Sequence, residues 1–143
     1  CRFMCVAGRR LDQALQEKIW LKSGGFLIIQ QTEAFVAIDV NTGKHSSKKD
    51  AEENYKQINR EAALEIARQL RLRNLSGMIL VDFINMKNTN DQSELLQYMG
   101  SLVRSDPMQT VVVDVTALGI MEITRKKSAK TLAEQLLQLK KGE

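Results

Sequence analysis

The sequence predicts an α/β domain with a mixed β-sheet flanked by helices, and three observations lead there. The first is AFVAIDVNTGK, from Ala34 to Lys44, where Phe35, Val36, Ala37 and Ile38 run into Asp39 before an Asn-Thr-Gly turn. Apolar and β-branched residues closed by turn residues are the pattern of a buried strand. The second is GMILVDFIN, from Gly77 to Asn85, where Asp82 stands at the end of another apolar run. The third lies between them: Tyr55, Ile58, Ala62, Ile66 and Leu70 recur every three or four residues, the stripe of a helix packed on a sheet. Strand, helix, strand is a βαβ unit, whose crossover makes the strands parallel and their carboxyl ends neighbours.

The other elements follow in order. Leu11, Ala14, Leu15, Lys18 and Ile19 have helical spacing, which predicts a short amphipathic helix from Arg9 to about Ile19. Cys1 to Arg10 otherwise carry no assignable element. Lys22–Gly25 is a turn, and because its glycine pair precedes a strand rather than a helix, a phosphate-cradling loop does not fit. Phe26–Gln30 is a strand, joined by Gln31–Ala34 to the next in an antiparallel hairpin. Past Gly43 comes a polar loop with His45, then Asp50 as a helix N-cap with Glu53 completing a capping box. That helix gives out near Arg73-Asn74. A second, from about Asp91 to Arg104, turns Leu95, Leu96, Met99, Leu102 and Val103 inward and stops at Asp106-Pro107. Thr110–Val115 and Ile120–Lys126 are strands. Ser128 is expected to cap a last helix with Leu132, Leu136, Leu137 and Leu139 on its apolar side. No repeat or linker interrupts the pattern, so residues 1–143 are expected to form one domain.

Composition agrees. The 143 residues are 43% hydrophobic and 27% charged with a single Pro, enough apolar material for a core. No apolar run reaches the length of a membrane span and no signal-peptide pattern opens the chain, so the expectation is a cytoplasmic protein with no membrane partner. A first residue of Cys rather than Met suggests a piece of a larger chain. Cys1 and Cys5 are the whole cysteine supply and amount to half a zinc site; reduced thiols are the simpler expectation. A net charge of +4 suits a polyanionic partner.

The chemistry is sought in Asp39 and Asp82. Acids ending adjacent parallel strands face the crevice where open α/β sheets bind ligands. Two carboxylates are the hard oxygen ligands that Mg²⁺ takes, with water and substrate phosphate filling its other positions. Asn41, two residues beyond Asp39, can donate an amide hydrogen to a carboxylate and hold it. The plainer alternative is that both acids merely terminate strands. Arg68, Arg71, Arg73, Arg125, Lys126 and Lys127 are the candidate phosphate contacts, set against ordinary solvated basic residues. His45 as a general base and Asp114 as a third ligand are weaker candidates. Trp20, Phe35, Tyr55 and Phe83 are expected to pack in the core or at its rim rather than stack on bases.

The strings IWLKSGGFLIIQQTEAFVAIDVNTGK, NREAALEIARQLRLRNLSGMILVDFINM and ALGIMEITRKK resemble bacterial ribonuclease E and ribonuclease G, endonucleases that cut single-stranded RNA. The resemblance runs from about Leu11 to Gln135 and covers the metal-bearing subdomain of that family, which implies a DNase I-like fold. It implies that Asp39 and Asp82 hold a catalytic Mg²⁺, with Mn²⁺ as a possible substitute, and that Asn41 orients one of them. It further implies attack of an activated water in line at phosphorus, leaving a 5′-phosphate and a 3′-hydroxyl. The parent protein is expected to be a homo-oligomer joined through a zinc segment lying beyond this sequence. Two departures stand out. Asn85 occupies a place where the family commonly has Asp, and Pro107, Met108 and Gln109 replace basic residues tied to sensing an RNA 5′-monophosphate. A non-catalytic RNA-binding or assembly module of the same fold is the rival expectation. A phosphatase acting on small phosphoesters is a third.

Overall fold

Alternation of buried and exposed residues along the strands decides which face of the sheet becomes the core. In the computed structural model, residues 16–43, 51–127 and 131–142 are described, and they form six strands and three helices. The strands are β1 (Lys18–Trp20), β2 (Phe26–Gln31), β3 (Val36–Asn41), β4 (Gly77–Asp82), β5 (Thr110–Val115) and β6 (Ile120–Arg125). The helices are α1 (Ala51–Leu72), α2 (Thr89–Arg104) and α3 (Leu132–Lys141). The strands make one sheet in the order β1-β2-β3-β4-β6-β5. Only β3 and β4 run parallel; the other neighbours are antiparallel, so the sheet is mixed as predicted.

On one face Leu27, Ile29, Val36, Ile38, Val40, Ile79, Val81, Met121 and Ile123 are buried. They share a core cluster with Ile58, Ala62, Ala63, Ile66 and Leu70 of α1 and with Leu95, Met99 and Val103 of α2. The stripe read from the sequence is therefore the buried side of α1. Burying each of its large aliphatic side chains contributes about 1.5–3 kcal/mol. Lys56 reaches from α1 to Asp91 (3.4 Å) and Glu94 (3.6 Å) of α2, tying the two helices at the surface. Its ammonium pKa is raised, chiefly by the hydrogen bond to Asp91.

Where α1 ends, Asn74 adopts a left-handed conformation (φ 51°) and the Leu75 N–H reaches back to the Leu70 carbonyl (3.0 Å), which turns the chain into β4. Beside this corner Asp106 and Arg125 form a buried ion pair: Arg125 Nε donates to Asp106 Oδ2 at 2.8 Å, and the side chains are 3% and 4% exposed. Arg125 Nη1 also donates to Asn74 Oδ1 (2.9 Å) and to the Leu75 carbonyl (2.9 Å). One guanidinium thus joins the α1–β4 corner, the end of α2 and strand β6.

The structure differs from expectation in several places. Lys18–Trp20 is a strand, not the end of a helix, because Ile19 alone points inward between two exposed neighbours, a period of two. Gln16 and Glu17 before it are not helical either, and the rest of that predicted helix, residues 9–15, lies outside the described residues with Cys1 and Cys5. So do the His45 loop, the Asp50 cap and Ser128. The last helix begins instead at Leu132 with Thr131 as N-cap, since Thr131 and Glu134 close a capping box. Among its described residues none is buried, and Leu137 and Leu139 are exposed. Helix α2 starts earlier than predicted, at Thr89, because the Asn88 side chain accepts the Asn90 N–H at 2.9 Å.

Candidate metal centre

The opposite face of the sheet follows from the same alternation. Asp39 lies between buried Ile38 and Val40, and Asp82 directly follows buried Val81, so both carboxylates must point away from the core. The parallel pairing of β3 and β4 makes Asp39 and Asp82 register partners. Partners on neighbouring strands stand roughly 4.8 Å apart along the hydrogen-bonding direction. Two exposed acids are thereby held side by side at the carboxyl ends of the parallel pair.

Asn41 Nδ2 donates to Asp39 Oδ2 at 3.3 Å, the contact anticipated from its spacing. Neither acid has an ion pair among the described residues. Like charges this close favour a cation, and an exposed carboxylate pair matches the donor chemistry of Mg²⁺, which keeps several waters. Among the described residues no cluster of three or more His, Cys, Asp or Glu side chains is disposed to bind a metal. The donor set therefore fits an ion that keeps several waters, and does not fit a fully protein-caged one. Asp114 is exposed on β5 beside a register irregularity, across from Glu122, and its carboxylate accepts the Val115 N–H (2.7 Å). Asn85 is exposed in the segment just after β4.

Sequence reasoning missed the supports of this site, which come from one turn of α1. Asn59 is fully buried and pairs with the backbone of Ile84, two residues past Asp82. Its Nδ2 donates to the Ile84 carbonyl (2.9 Å) and its Oδ1 accepts the Ile84 N–H (3.0 Å). On the other side Glu61 Oε2 accepts both the Ser23 N–H (3.1 Å) and the Ser23 hydroxyl (2.6 Å), fixing the β1–β2 turn. That turn abuts the exit of β3: a Cβ on Gly43 (φ 71°) would lie 2.5 Å from the Gly24 carbonyl oxygen. The available signal was an Asn beside Ile58 on the core-facing stripe, since a polar residue placed there needs a partner.

The six basic candidates divide. Arg68, Arg71, Lys126 and Lys127 are exposed. Arg73 and Arg125 are buried, which corrects the expectation that they contact phosphate. Arg73 Nε donates to Gln69 Oε1 (2.8 Å) and its Nη2 to the Gln16 carbonyl. Burial lowers its pKa, and Glu65 only partly offsets that. Both arginines sit where a chain segment folds back onto the end of α1 or β6, so their donors are spent on backbone and side-chain oxygens of the fold. Phe83 and Tyr55 pack against the core as expected, whereas Trp20 is 64% exposed, contrary to expectation.

Fold and site together define an α/β domain that presents paired acids, one of them hydrogen-bonded by an Asn41 amide, at the end of its parallel strands. The Ribonuclease E/G family matches residues 5–128, and the chain belongs to that family. It is 43% identical over 124 residues to ribonuclease E of Nostoc sp. (strain PCC 7120 / SAG 25.82 / UTEX 2576), covering 87% of this chain and 18% of that protein. It is 40% identical over 126 residues to ribonuclease G of Escherichia coli (strain K12), covering 88% of this chain and 26% of that protein. The chain thus spans between 18% and 26% of the length of these relatives. Among the described residues no helix is long and apolar enough to cross a membrane.

Proposed function

We propose that this chain is the metal-bearing part of an endoribonuclease that hydrolyses phosphodiester bonds of single-stranded RNA. The observation that supports the reading most is the register pairing of Asp39 with Asp82 on the exposed sheet face. These two carboxylates would hold Mg²⁺, or Mn²⁺ in its place, and Asn41 would keep Asp39 oriented through its amide. When bound, the ion supplies Lewis acidity at a phosphodiester oxygen and a lowered pKa for a coordinated water. Asn59 and Glu61 hold the segments on either side of the acids, so the carboxylates are presented in one arrangement rather than many. Arg68, Arg71, Lys126 and Lys127 would supply sequence-independent attraction to RNA phosphates. The products expected on this reading carry a 5′-phosphate and a 3′-hydroxyl. A cytoplasmic location, and assembly of the intact protein through a zinc-binding segment outside these residues, belong to the same reading.

The test is Asp82→Asn in the intact protein. Loss of a group that orients a metal ligand costs 10- to 100-fold, so loss of a ligand itself should lower cleavage by more than about a hundredfold. RNA binding should stay nearly unchanged, because exposed basic residues carry it. Cleavage at the parental rate would remove the basis of the proposal. One observation favours a non-catalytic RNA-binding module instead: a neutral Asn85 stands just after β4, so that among the described residues only two acids face each other at the strand ends. A Mg²⁺ titration followed by NMR separates the two. Shifts at residues 39 and 82 favour the nuclease, and their absence favours the module.

A further inference from the structure

An indole is the largest apolar side chain and normally buries most of its surface, yet Trp20 on edge strand β1 is 64% exposed. Its position is fixed by register. Trp20 pairs with Phe26, and Phe26 with Asn41; one row along, Lys18 pairs with Ile28, Ile28 with Asp39, and Asp39 with Asp82. Trp20, Phe26 and Lys18 therefore share the sheet face of the two acids. Strand spacing places Trp20 roughly 10 Å across the sheet from Asn41. The rings of Trp20 and Phe26 meet at 5.2 Å with an interplanar angle of 58°. The Lys18 ammonium rests over both, 4.2 Å from the Trp20 centroid and 4.3 Å from that of Phe26. Among the described residues Lys18 has no carboxylate partner, so its charge is held in place by ring faces and left unneutralised.

We propose that Trp20, Phe26 and Lys18 form a nucleotide subsite for single-stranded RNA beside the carboxylate pair. The base stacks on the Trp20 indole and the neighbouring phosphate pairs with the Lys18 ammonium. An exposed aromatic ring with a cation beside it is how proteins hold unpaired nucleotides without reading their sequence, since every base has a π-face. An apolar protein surface would gain from the rings but not from the uncompensated ammonium, whereas RNA uses both. The proposal rests on the endoribonuclease reading for its choice of ligand and for nothing else. It gives the open face a second point of attachment, so that a strand held at Trp20 passes across Asn41 toward the two acids.

Trp20 is the single tryptophan of the chain, so its fluorescence reports on this site alone. A single-stranded oligoribonucleotide of about ten nucleotides, within the usual site size for such surfaces, is titrated with EDTA present to prevent turnover. Saturable quenching of Trp20 emission is expected. By anisotropy of labelled RNA, Trp20→Ala should weaken binding roughly tenfold and Trp20→Phe should recover part of the loss. Lys18→Gln should lower the salt dependence of log K by about one phosphate contact. Circular dichroism and urea unfolding check that these surface variants remain folded. RNA that binds without quenching, binding unaffected by Trp20→Ala, or no binding at all would overturn the subsite. So would a change in emission that follows protein concentration rather than RNA, which would assign the patch to a second copy of the chain. Quenching that persists while cleavage ignores Asp82→Asn would sink the nuclease reading and leave the subsite standing. Loss of cleavage in Asp82→Asn without any quenching would do the reverse.

Discussion

The two ends of β4 hold acids in opposite circumstances. At its start Gly77 pairs with Arg125, whose guanidinium meets Asp106 in a pair almost sealed from solvent. At its finish, five residues and roughly 17 Å along the strand, Asp82 lies beside Asp39 with both side chains exposed. The first end has matched its charges within the fold; the second has gathered like charges and left the match to something else. Burying an ion costs several kcal/mol unless its partner and hydrogen bonds are in place, so the closed end is tied to stability. Exposed like charges cost far less to keep in the fold and stay available to a cation. Substitutions at the two ends should therefore separate stability from activity.

The largest effect on stability is expected at the closed end. Asp106→Ala leaves the Arg125 charge buried without its carboxylate and should destabilise by about 3–5 kcal/mol, read as a lower urea midpoint. Asp82→Asn should move the same midpoint by no more than about 0.5 kcal/mol, the usual range for surface changes. The closed end should also respond to acid. Burial alone would raise the Asp106 pKa, but hydrogen bonds from Arg125, the Met108 N–H and the Thr110 hydroxyl, with the guanidinium charge, outweigh it and lower the value. A carboxyl lowered in the folded state contributes stability that is present above its unfolded value, about 3.9, and is lost as pH falls through the folded value. Unfolding midpoints between pH 5 and 3 should thus fall less steeply in Asp106→Ala than in the parent. Equal slopes would mean that Asp106 is not the group that titrates.

The next effect probes what holds the open end in place. Asn59→Ala leaves the Ile84 N–H and carbonyl without partners and should cost about 1–3 kcal/mol. If the amide also positions Asp82, Mg²⁺ affinity should fall by about 10- to 100-fold, as when other outer-shell partners of a metal site are lost. Stability lost with Mg²⁺ affinity unchanged would confine Asn59 to the fold. Asn59→Asp keeps the acceptor for the Ile84 N–H but sets a buried carboxylate against the Ile84 carbonyl with no cation beside it among the described residues, so near neutral pH it should be at least as destabilising as Ala.

Much of this was legible in the sequence because periodicity reports burial. The apolar runs before Asp39 and Asp82, with the helical stripe between them, were enough to place both acids at the ends of adjacent parallel strands, and in the structure they are register partners. Lys18–Trp20 misled because three residues are too few to tell a period of two from one of 3.6, and Lys18 and Ile19 also fit the helical pattern upstream. Arg73 and Arg125 misled for a different reason. Periodicity marks apolar residues as buried and is silent on a charged one whose partner lies far along the chain; Asp106 is 19 residues from Arg125 and Asn74 is 51. Asn59 was hidden in the same way, its partner being a backbone segment 25 residues on.

The smallest effect tests whether position, rather than charge, decides what a basic residue does. Arg125 and Lys126 are adjacent in sequence, yet one is buried at the closed end and the other is exposed. Lys126→Gln should leave the urea midpoint within about 0.5 kcal/mol of the parent. It should weaken binding to single-stranded RNA by a similar factor for every sequence tried, and reduce the slope of log K against log salt by about 0.7, one counterion's worth for a single strand. Arg125→Gln should do the opposite: a fall in midpoint of several kcal/mol, because Asp106 is left buried without its cation, and an unchanged salt slope measured where the variant is still folded. A reduced slope in Arg125→Gln would return that guanidinium to the RNA-binding surface. A full slope in Lys126→Gln would remove Lys126 from it, leaving Arg68, Arg71 and Lys127, with Lys18 at the proposed subsite, to carry the attraction for a phosphate backbone.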